Sequence, residues 1–170
     1  MMSVAVERMS QRIVVGMADA RIVTTPEQDL VTYALGSCVG VAIYDPEVGV
    51  GGMLHAMLPL SSIAPEKASA NPWMFVDTGV PWLFREAYRH GAAKERLKVY
   101  AVGGAHVHGV AGRTEEDDQF QIGKRNVTML RKLLWRNGVL LAGHDLGGEV
   151  WRTVSLRMDS GELHVISNQA

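Results

Sequence analysis

Cys38 is the single cysteine in a chain of 170 residues and the first candidate for chemistry. A cysteine becomes a strong nucleophile where a base or a positive dipole favours its thiolate. Gly36 and Ser37 precede it and predict a sharp turn at the head of a strand. Backbone N–H groups at such a turn can stabilise the oxyanion that forms when sulfur attacks an amide. A buried cysteine is more often only a small apolar side chain, so the residue alone leaves both interpretations open.

His55 is the candidate general base. It follows Cys38 by 17 residues and lies on a predicted strand that pairs, in a long hairpin, with the strand that begins at the cysteine. A cysteine beside a histidine is the minimal set for covalent acyl chemistry. The histidine ring needs a third group to orient it, and the hydroxyl of Thr32 is the candidate.

The elements that must hold these residues are mostly strands, which the runs of β-branched residues predict. The predicted strands are residues 13–15, 22–24, 38–44, 51–58 and 97–101, with a further hairpin over 150–166. Residues 25–29, 59–76 and 115–118 are predicted loops, and residues 35–37 a turn. Helices are predicted from Asp77 or Thr78 to near Gly91 and over 122–137. We therefore expect a mixed α/β or α+β layered domain.

Composition excludes several classes of protein. Hydrophobic residues make up 47% of the chain and charged residues 21%, as in an ordinary globular protein. A net charge of -1 offers no basic field for nucleic acid. One cysteine excludes an intrachain disulfide and a cysteine-rich zinc site. No apolar run is long enough for membrane insertion, and Met1 to Arg12 lack a signal-peptide core, so we expect a cytoplasmic protein. Residues 1–12 are predicted to be a loose leader and 13–170 a single domain.

Several motifs together resemble one known family, the chemoreceptor glutamine deamidases called CheD. They extend over almost all of residues 13–166, and the first two are highly specific in combination. The motifs are Leu35-Gly36-Ser37-Cys38-Val39, Gly51-Gly52-Met53-Leu54-His55-Ala56-Met57-Leu58-Pro59, Gly103-Gly104-Ala105, Ile122-Gly123-Lys124-Arg125-Asn126 and Asp145-Leu146-Gly147-Gly148 with Arg152, besides Asp45.

The resemblance implies a fold like that of the cytotoxic necrotizing factor catalytic domains, with a β-sandwich-like core of mixed sheets flanked by helices. It implies that Cys38 is the nucleophile, His55 the base and Thr32 the third member, and that no cofactor takes part. Glutamines on the cytoplasmic helical domain of methyl-accepting chemotaxis receptors would become glutamates with release of ammonia. Some members also hydrolyse receptor glutamate methyl esters, and in some bacteria a CheC-type phosphatase binds the deamidase. We expect Gly36, Ser37, Gly103 and Gly104 to form the substrate or oxyanion region.

Other features leave alternatives open. His106 and His108 stand where the family usually has other residues, which leaves substrate preference in question, and their spacing is a weak metal signal beside the absence of a carboxylate set. Five basic residues make the helix over 122–137 either a solvated face or a docking surface for an acidic receptor bundle. They are Lys124, Arg125, Arg131, Lys132 and Arg136. A non-catalytic adaptor that binds receptors and a CheC-type phosphatase is the alternative function, and a thiol redox sensor is a third.

Overall fold

The protein is built from two stacked β-sheets with helices on one outer face. The computed structural model describes residues 9–106 and 118–168. Within them the strands are β1 (Gln11–Val14), β2 (Asp19–Val23), β3 (Gln28–Leu35), β4 (Val39–Asp45), β5 (Val50–Ala56), β6 (Lys98–Gly103), β7 (Gly143–Leu146), β8 (Trp151–Leu156) and β9 (Leu163–Asn168). The helices are α1 (Pro65–Ala70), α2 (Val76–Arg89) and α3 (Asp118–Arg136), with short 3-10 turns at Ser61–Ile63, Pro72–Met74 and Lys94–Arg96.

The strands divide into a four-stranded and a five-stranded sheet. The four-stranded sheet has the order β1-β3-β8-β9, and the five-stranded sheet has the order β2-β5-β4-β6-β7. The pairs β1–β3 and β6–β7 are parallel, and the other neighbours are antiparallel. The expected fold class, a mixed α+β domain with a β-sandwich-like core flanked by helices, is confirmed.

The centre of the core is the β4–β5 hairpin, in which every residue of the two strands is buried. Successive side chains of a strand point to opposite faces of its sheet. Val41 and Leu54 accordingly pack with residues of α2 and α3 on one face. Ala42 and Met53 pack on the other face against the four-stranded sheet. A buried strand pair covered on both faces explains why this stretch has the densest apolar sequence of the chain.

Most elements lie where the sequence predicts them. Gly40 pairs with His55 in the β4–β5 hairpin, and β8 and β9 form the predicted C-terminal hairpin. The predicted helices correspond to α2 and α3, although α3 already begins at Asp118. That residue closes the predicted acidic loop, and residues 115–117 lie outside the described ranges.

Two predictions were wrong. The predicted loop over 25–29 ends early, because β3 begins at Gln28 and continues to Leu35. The alternation of side chains along β3 is broken by a register shift between Thr32 and Leu35, where Ala34 adopts the left-handed region at φ 55°. Residues 59–76 are not only loop, since they include α1 and two 3-10 turns. β1 begins at Gln11, within the predicted leader over 1–12. Residues 1–8 lie outside the described ranges, so the leader remains a prediction.

None of the helices described here combines the length and the apolar character that crossing a bilayer would require.

Candidate active site

His55 lies in the middle of β5 and is 1% exposed. Its ring faces the four-stranded sheet, where Nδ1 lies 2.8 Å from Oγ1 of Thr32 on β3. The Thr32 hydroxyl also donates to the backbone carbonyl of Val15, at 2.7 Å. One chain of hydrogen bonds therefore joins His55, Thr32 and Val15 across the space between the two sheets.

These contacts determine which ring nitrogen of His55 carries the proton. A hydroxyl has one hydrogen, and a carbonyl oxygen can only accept, so the Thr32 hydrogen is given to Val15. Nδ1 of His55 must then be the donor to Oγ1, and a neutral ring leaves Nε2 with an open lone pair. Nε2 is buried and has no hydrogen-bond partner among the described residues. This is the arrangement that a general base requires, with one nitrogen held and the other able to accept a proton.

Cys38 is half-buried in the turn between β3 and β4. The backbone of this turn is held from the loop after β6. The N–H of Gly104 donates to the Cys38 carbonyl at 2.7 Å, and that of Ala105 donates to the Gly36 carbonyl at 2.8 Å. The N–H groups of Ser37 and Cys38 have no backbone acceptor among the described residues.

Gly103 and Gly104 allow the close approach of these two segments. Both have positive φ, 106° and 66°, a region that side chains other than glycine rarely adopt. A Cβ on Gly103 would lie 2.3 Å from the carbonyl oxygen of Cys38, and one on Gly104 would lie 2.2 Å from Val127. Because its N–H is already engaged, Gly104 acts here by holding the cysteine backbone.

Strand register brings Cys38 and His55 into neighbouring positions. The residue opposite His55 on β4 is Gly40, which has no side chain, and Cys38 lies two residues before it. Diagonal neighbours of this kind are about 7–8 Å apart between Cα atoms. Nε2 of His55 makes no hydrogen bond to Cys38 in this resting arrangement. Catalytic hydrogen bonds are often long without substrate and shorten when it binds.

Burial dominates the electrostatics of the pair. It raises the pKa of Cys38 to about 11, although the cysteine's own backbone N–H lowers it in part. It lowers the pKa of His55 to about 4. The resting pair at neutral pH is therefore a thiol beside a neutral imidazole, and not a thiolate beside an imidazolium.

Arg152 secures the sheets beside the cysteine turn. It lies on β8 opposite Leu35, the last residue of β3, and is 4% exposed. Its guanidinium contacts both carboxylate oxygens of Asp145 on β7, at 2.8 and 2.9 Å, and the carbonyl of Gly147 at 2.9 Å. The pair therefore joins the four-stranded sheet to the edge of the five-stranded sheet.

The remaining sequence signals lie outside this pair. The backbone N–H of His106 donates to the Gly148 carbonyl at 2.7 Å, and His108 lies outside the described residues. No cluster of potential metal ligands is found in the part of the chain that the structure describes. The basic residues of α3 are all exposed, and Trp135, which lies between Lys132 and Arg136, is 81% exposed. Those residues are Lys124, Arg125, Arg131, Lys132 and Arg136.

The structure thus joins His55 to Thr32 by a hydrogen bond and places Cys38 two residues before the strand partner of His55. Gly103 and Gly104 lie against the backbone of the cysteine turn, which includes Gly36 and Ser37. Sequence reasoning missed Val15, whose carbonyl determines the direction of the Thr32 hydroxyl. No sequence pattern marks such a residue, because a backbone carbonyl of any residue type would serve.

The family model and the named relatives that match this chain point to the same family. The model of the family described as CheD chemotactic sensory transduction matches residues 57–167, a segment that begins after all three candidate catalytic residues. A protein of Solibacter usitatus named probable chemoreceptor glutamine deamidase CheD is 48% identical over 93% of this chain and 90% of its own length. A protein of Syntrophus aciditrophicus named probable chemoreceptor glutamine deamidase CheD 1 is 44% identical, over 92% of this chain and 94% of its own. Among solved structures, a Neisseria meningitidis protein of the DUF152 family aligns at 11% identity and a TM-score of 0.45, covering 82% of this chain and 63% of that one.

Proposed function

The chain belongs to the CheD family, and from that membership we propose that it is a protein-glutamine deamidase acting on chemoreceptors. Its named relatives support the reaction class and the substrate. One observation supports the assignment of this reaction to Cys38 and His55. The hydrogen bond between Thr32 and Nδ1 of His55 leaves Nε2 of His55 open as a proton acceptor. An adaptor without catalysis has no use for a buried histidine with an unpaired nitrogen, since that placement costs about 1–3 kcal/mol.

In the first half of the proposed reaction, Nε2 of His55 takes the thiol proton as Sγ of Cys38 attacks the carboxamide carbon of a glutamine. The carbonyl bond opens, and its oxygen takes the negative charge, stabilised by the N–H groups of Ser37 and Cys38. The intermediate collapses as the carbon–nitrogen bond breaks. His55 returns the proton to the leaving nitrogen, ammonia departs, and a thioester to Cys38 remains.

In the second half, water attacks the thioester carbon while Nε2 takes one of its protons. The carbon–sulfur bond then breaks, the sulfur recovers its proton from His55, and the side chain leaves as glutamate. Burial lowers the pKa of His55 to about 4, which keeps the proposed base neutral at physiological pH. Both halves of the proposed reaction use only Cys38, His55 and the backbone N–H groups of Ser37 and Cys38, without a cofactor.

The same steps would hydrolyse a glutamate methyl ester, with methanol as the leaving group in place of ammonia. We include this activity in the proposal as a secondary reaction. The substrate is the cytoplasmic helical domain of a chemoreceptor, where each deamidation adds a negative charge. Like charges on neighbouring helical positions destabilise packing modestly, which gives a physical route to altered signalling. A CheC-type phosphatase is the proposed protein partner besides the receptor.

The high pKa of Cys38 disfavours the alternative of a redox sensor. Sensor cysteines are accessible thiols with a low pKa. At a pKa of about 11, only about one Cys38 in 10⁴ is thiolate at pH 7. The half-buried thiol is therefore better suited to attack on a bound substrate, with His55 removing the proton, than to reaction with a dissolved oxidant.

The test is mass spectrometry of receptor fragments incubated with purified protein, together with a measurement of released ammonia. Wild type should convert specific glutamines to glutamate, and Cys38→Ala and His55→Ala should abolish conversion while remaining folded. His164→Ala is the matched control, since it removes an exposed histidine of β9. Full activity in either site variant refutes the assignment of the site. A wild type that binds receptor without releasing ammonia would identify an adaptor.

A further inference from the structure

Asn126 of α3 is completely buried and contacts both segments that carry the proposed chemistry. Its Nδ2 donates to the carbonyl of Ser37 at 3.0 Å and to the carbonyl of Met57 at 2.9 Å. Ser37 immediately precedes Cys38, and Met57 lies two residues after His55. One carboxamide therefore ties the cysteine turn and the end of the histidine strand to the same point of one helix.

The two contacts fix the orientation of the Asn126 amide. A carbonyl can only accept, so both bonds require the nitrogen of the carboxamide, and its oxygen points elsewhere. That oxygen is buried and has no partner among the described residues. Leaving a buried acceptor unpaired is destabilising, a cost that an apolar residue at this position would avoid. The two hydrogen bonds that Nδ2 donates, to Ser37 and Met57, offset this cost.

The Ser37 contact controls the direction of a backbone donor. The peptide unit is planar and trans, so its C=O and its N–H point in opposite directions. The carbonyl of Ser37 belongs to the same peptide unit as the N–H of Cys38. When Asn126 holds that carbonyl toward α3, the Cys38 N–H is turned away from α3 and held there.

The neighbouring peptide units are held differently. The carbonyls of Gly36 and Cys38 accept from the backbone N–H groups of Ala105 and Gly104. Only the middle one of these three successive carbonyls is held by a side chain among the described residues. A single substitution at Asn126 can therefore release the Cys38 peptide while both flanking contacts remain.

We propose that Asn126 is a positioning residue for the deamidation reaction, which holds the Cys38 N–H in the direction of the developing oxyanion and links it to the end of β5. This inference rests on the proposed function. The oxyanion exists only in the transition state and the intermediate, so the contribution of Asn126 belongs to kcat and not to substrate binding. Removing an oxyanion donor outright costs about 10²–10³ in kcat. A donor that is present but free to turn should cost less, about 10- to 100-fold.

The experiment compares Asn126→Ala with Asn137→Ala, a matched control one residue past the end of α3, whose exposed side chain donates to the Leu133 carbonyl. Asn126→Ala should lower kcat for ammonia release while KM stays near the wild-type value. Alkylation of Cys38 by iodoacetamide should keep its wild-type rate, because displacement at a saturated carbon forms no oxyanion. A kcat equal to that of the control overturns the proposal. So does a parallel fall of kcat, alkylation rate and melting temperature, which would mark a general structural role.

A second measurement needs no substrate. Amide hydrogen exchange of residues 36–39 should be faster in Asn126→Ala than in wild type, after correction for global stability. If the exchange rates are unchanged, the proposed hold of Asn126 on the Cys38 peptide is wrong, even if the protein is an active deamidase. If the wild-type protein releases no ammonia, only the proposed function is refuted. If Asn126→Ala does not fold, Asn126→Gln keeps the donors but displaces them by one methylene. It should show the same lower kcat with unchanged alkylation, and wild-type kcat in that variant would contradict the inference.

Discussion

Replacing Thr32 by valine tests the link between sheet packing and the proposed chemistry. Valine keeps the shape of threonine but puts a methyl group in the place of the hydroxyl. Thr32 is completely buried, and its hydroxyl satisfies both the Val15 carbonyl and Nδ1 of His55. The substitution leaves two buried polar groups without partners, at about 1–3 kcal/mol each. We therefore expect the free energy of unfolding to fall by about 2–6 kcal/mol.

The effect on rate follows from the same hydrogen bond. Without the hydroxyl, nothing holds the His55 proton on Nδ1, and rings with the proton on Nε2 cannot act as a base. A net hydrogen-bond contribution of about 0.5–1.5 kcal/mol converts to a loss in kcat of about 2- to 13-fold. This loss should be much smaller than that in Cys38→Ala or His55→Ala, because Thr32→Val removes the group that orients the base and leaves both reacting groups in place.

Urea denaturation and ammonia-release kinetics measure the two effects, and nitrogen NMR of the His55 ring reports the tautomer directly. Thr32→Ser is the matched control, since it keeps the hydroxyl and loses one methyl group, worth about 0.8 kcal/mol. The serine variant should retain the wild-type tautomer and nearly all of kcat. If Thr32→Val kept wild-type kcat, or its ring carried the proton on Nδ1 as before, the orienting role of Thr32 would be wrong.

Two further predictions concern pH and charge. Because burial raises the pKa of Cys38 to about 11, the rate of its alkylation by iodoacetamide should rise about tenfold per pH unit between pH 7 and 10. Because burial lowers the pKa of His55 to about 4, deamidation should persist down to about pH 5. An alkylation rate that levels off near neutral pH, or a loss of activity at pH 6–7, would contradict this. Arg131→Glu with Lys132→Glu should weaken receptor binding, with the largest loss at low salt, if the exposed face of α3 docks an acidic receptor surface. Binding unchanged at every salt concentration would exclude docking there, and Arg89→Glu on α2 is the control for charge reversal on another helix.

The sequence predicts much of the fold because its strongest signals are local. The β4–β5 hairpin follows from two apolar segments around a short turn, and it alone brings His55 near Cys38. β3 was partly missed because the shift after Thr32 and the left-handed Ala34 interrupt the alternation on which strand prediction depends. The sequence offers Thr32 as a candidate hydroxyl, and the family resemblance gives it a role, but its contacts depend on how the two sheets stack, which no local pattern encodes.

Asn126 shows the same limit. It lies within a motif of the family resemblance, yet an asparagine between basic residues of a helix has no periodic signal that marks it as buried. Its importance comes from two backbone carbonyls far from it in sequence, at Ser37 and Met57. Contacts from a side chain to backbone oxygens leave no trace in residue types, so only the assembled structure reveals them.

The bond between Thr32 and His55 has a consequence for how the protein becomes active. Its two partners belong to different sheets, so neither sheet alone contains a competent base. A slip of β5 by one residue would turn His55 toward the helices and away from Thr32. Under the proposed mechanism, full activity then requires both sheets to be complete, stacked and in register. Under the proposed mechanism, a newly made or partly unfolded chain that lacks this contact would be a weaker catalyst than the folded protein.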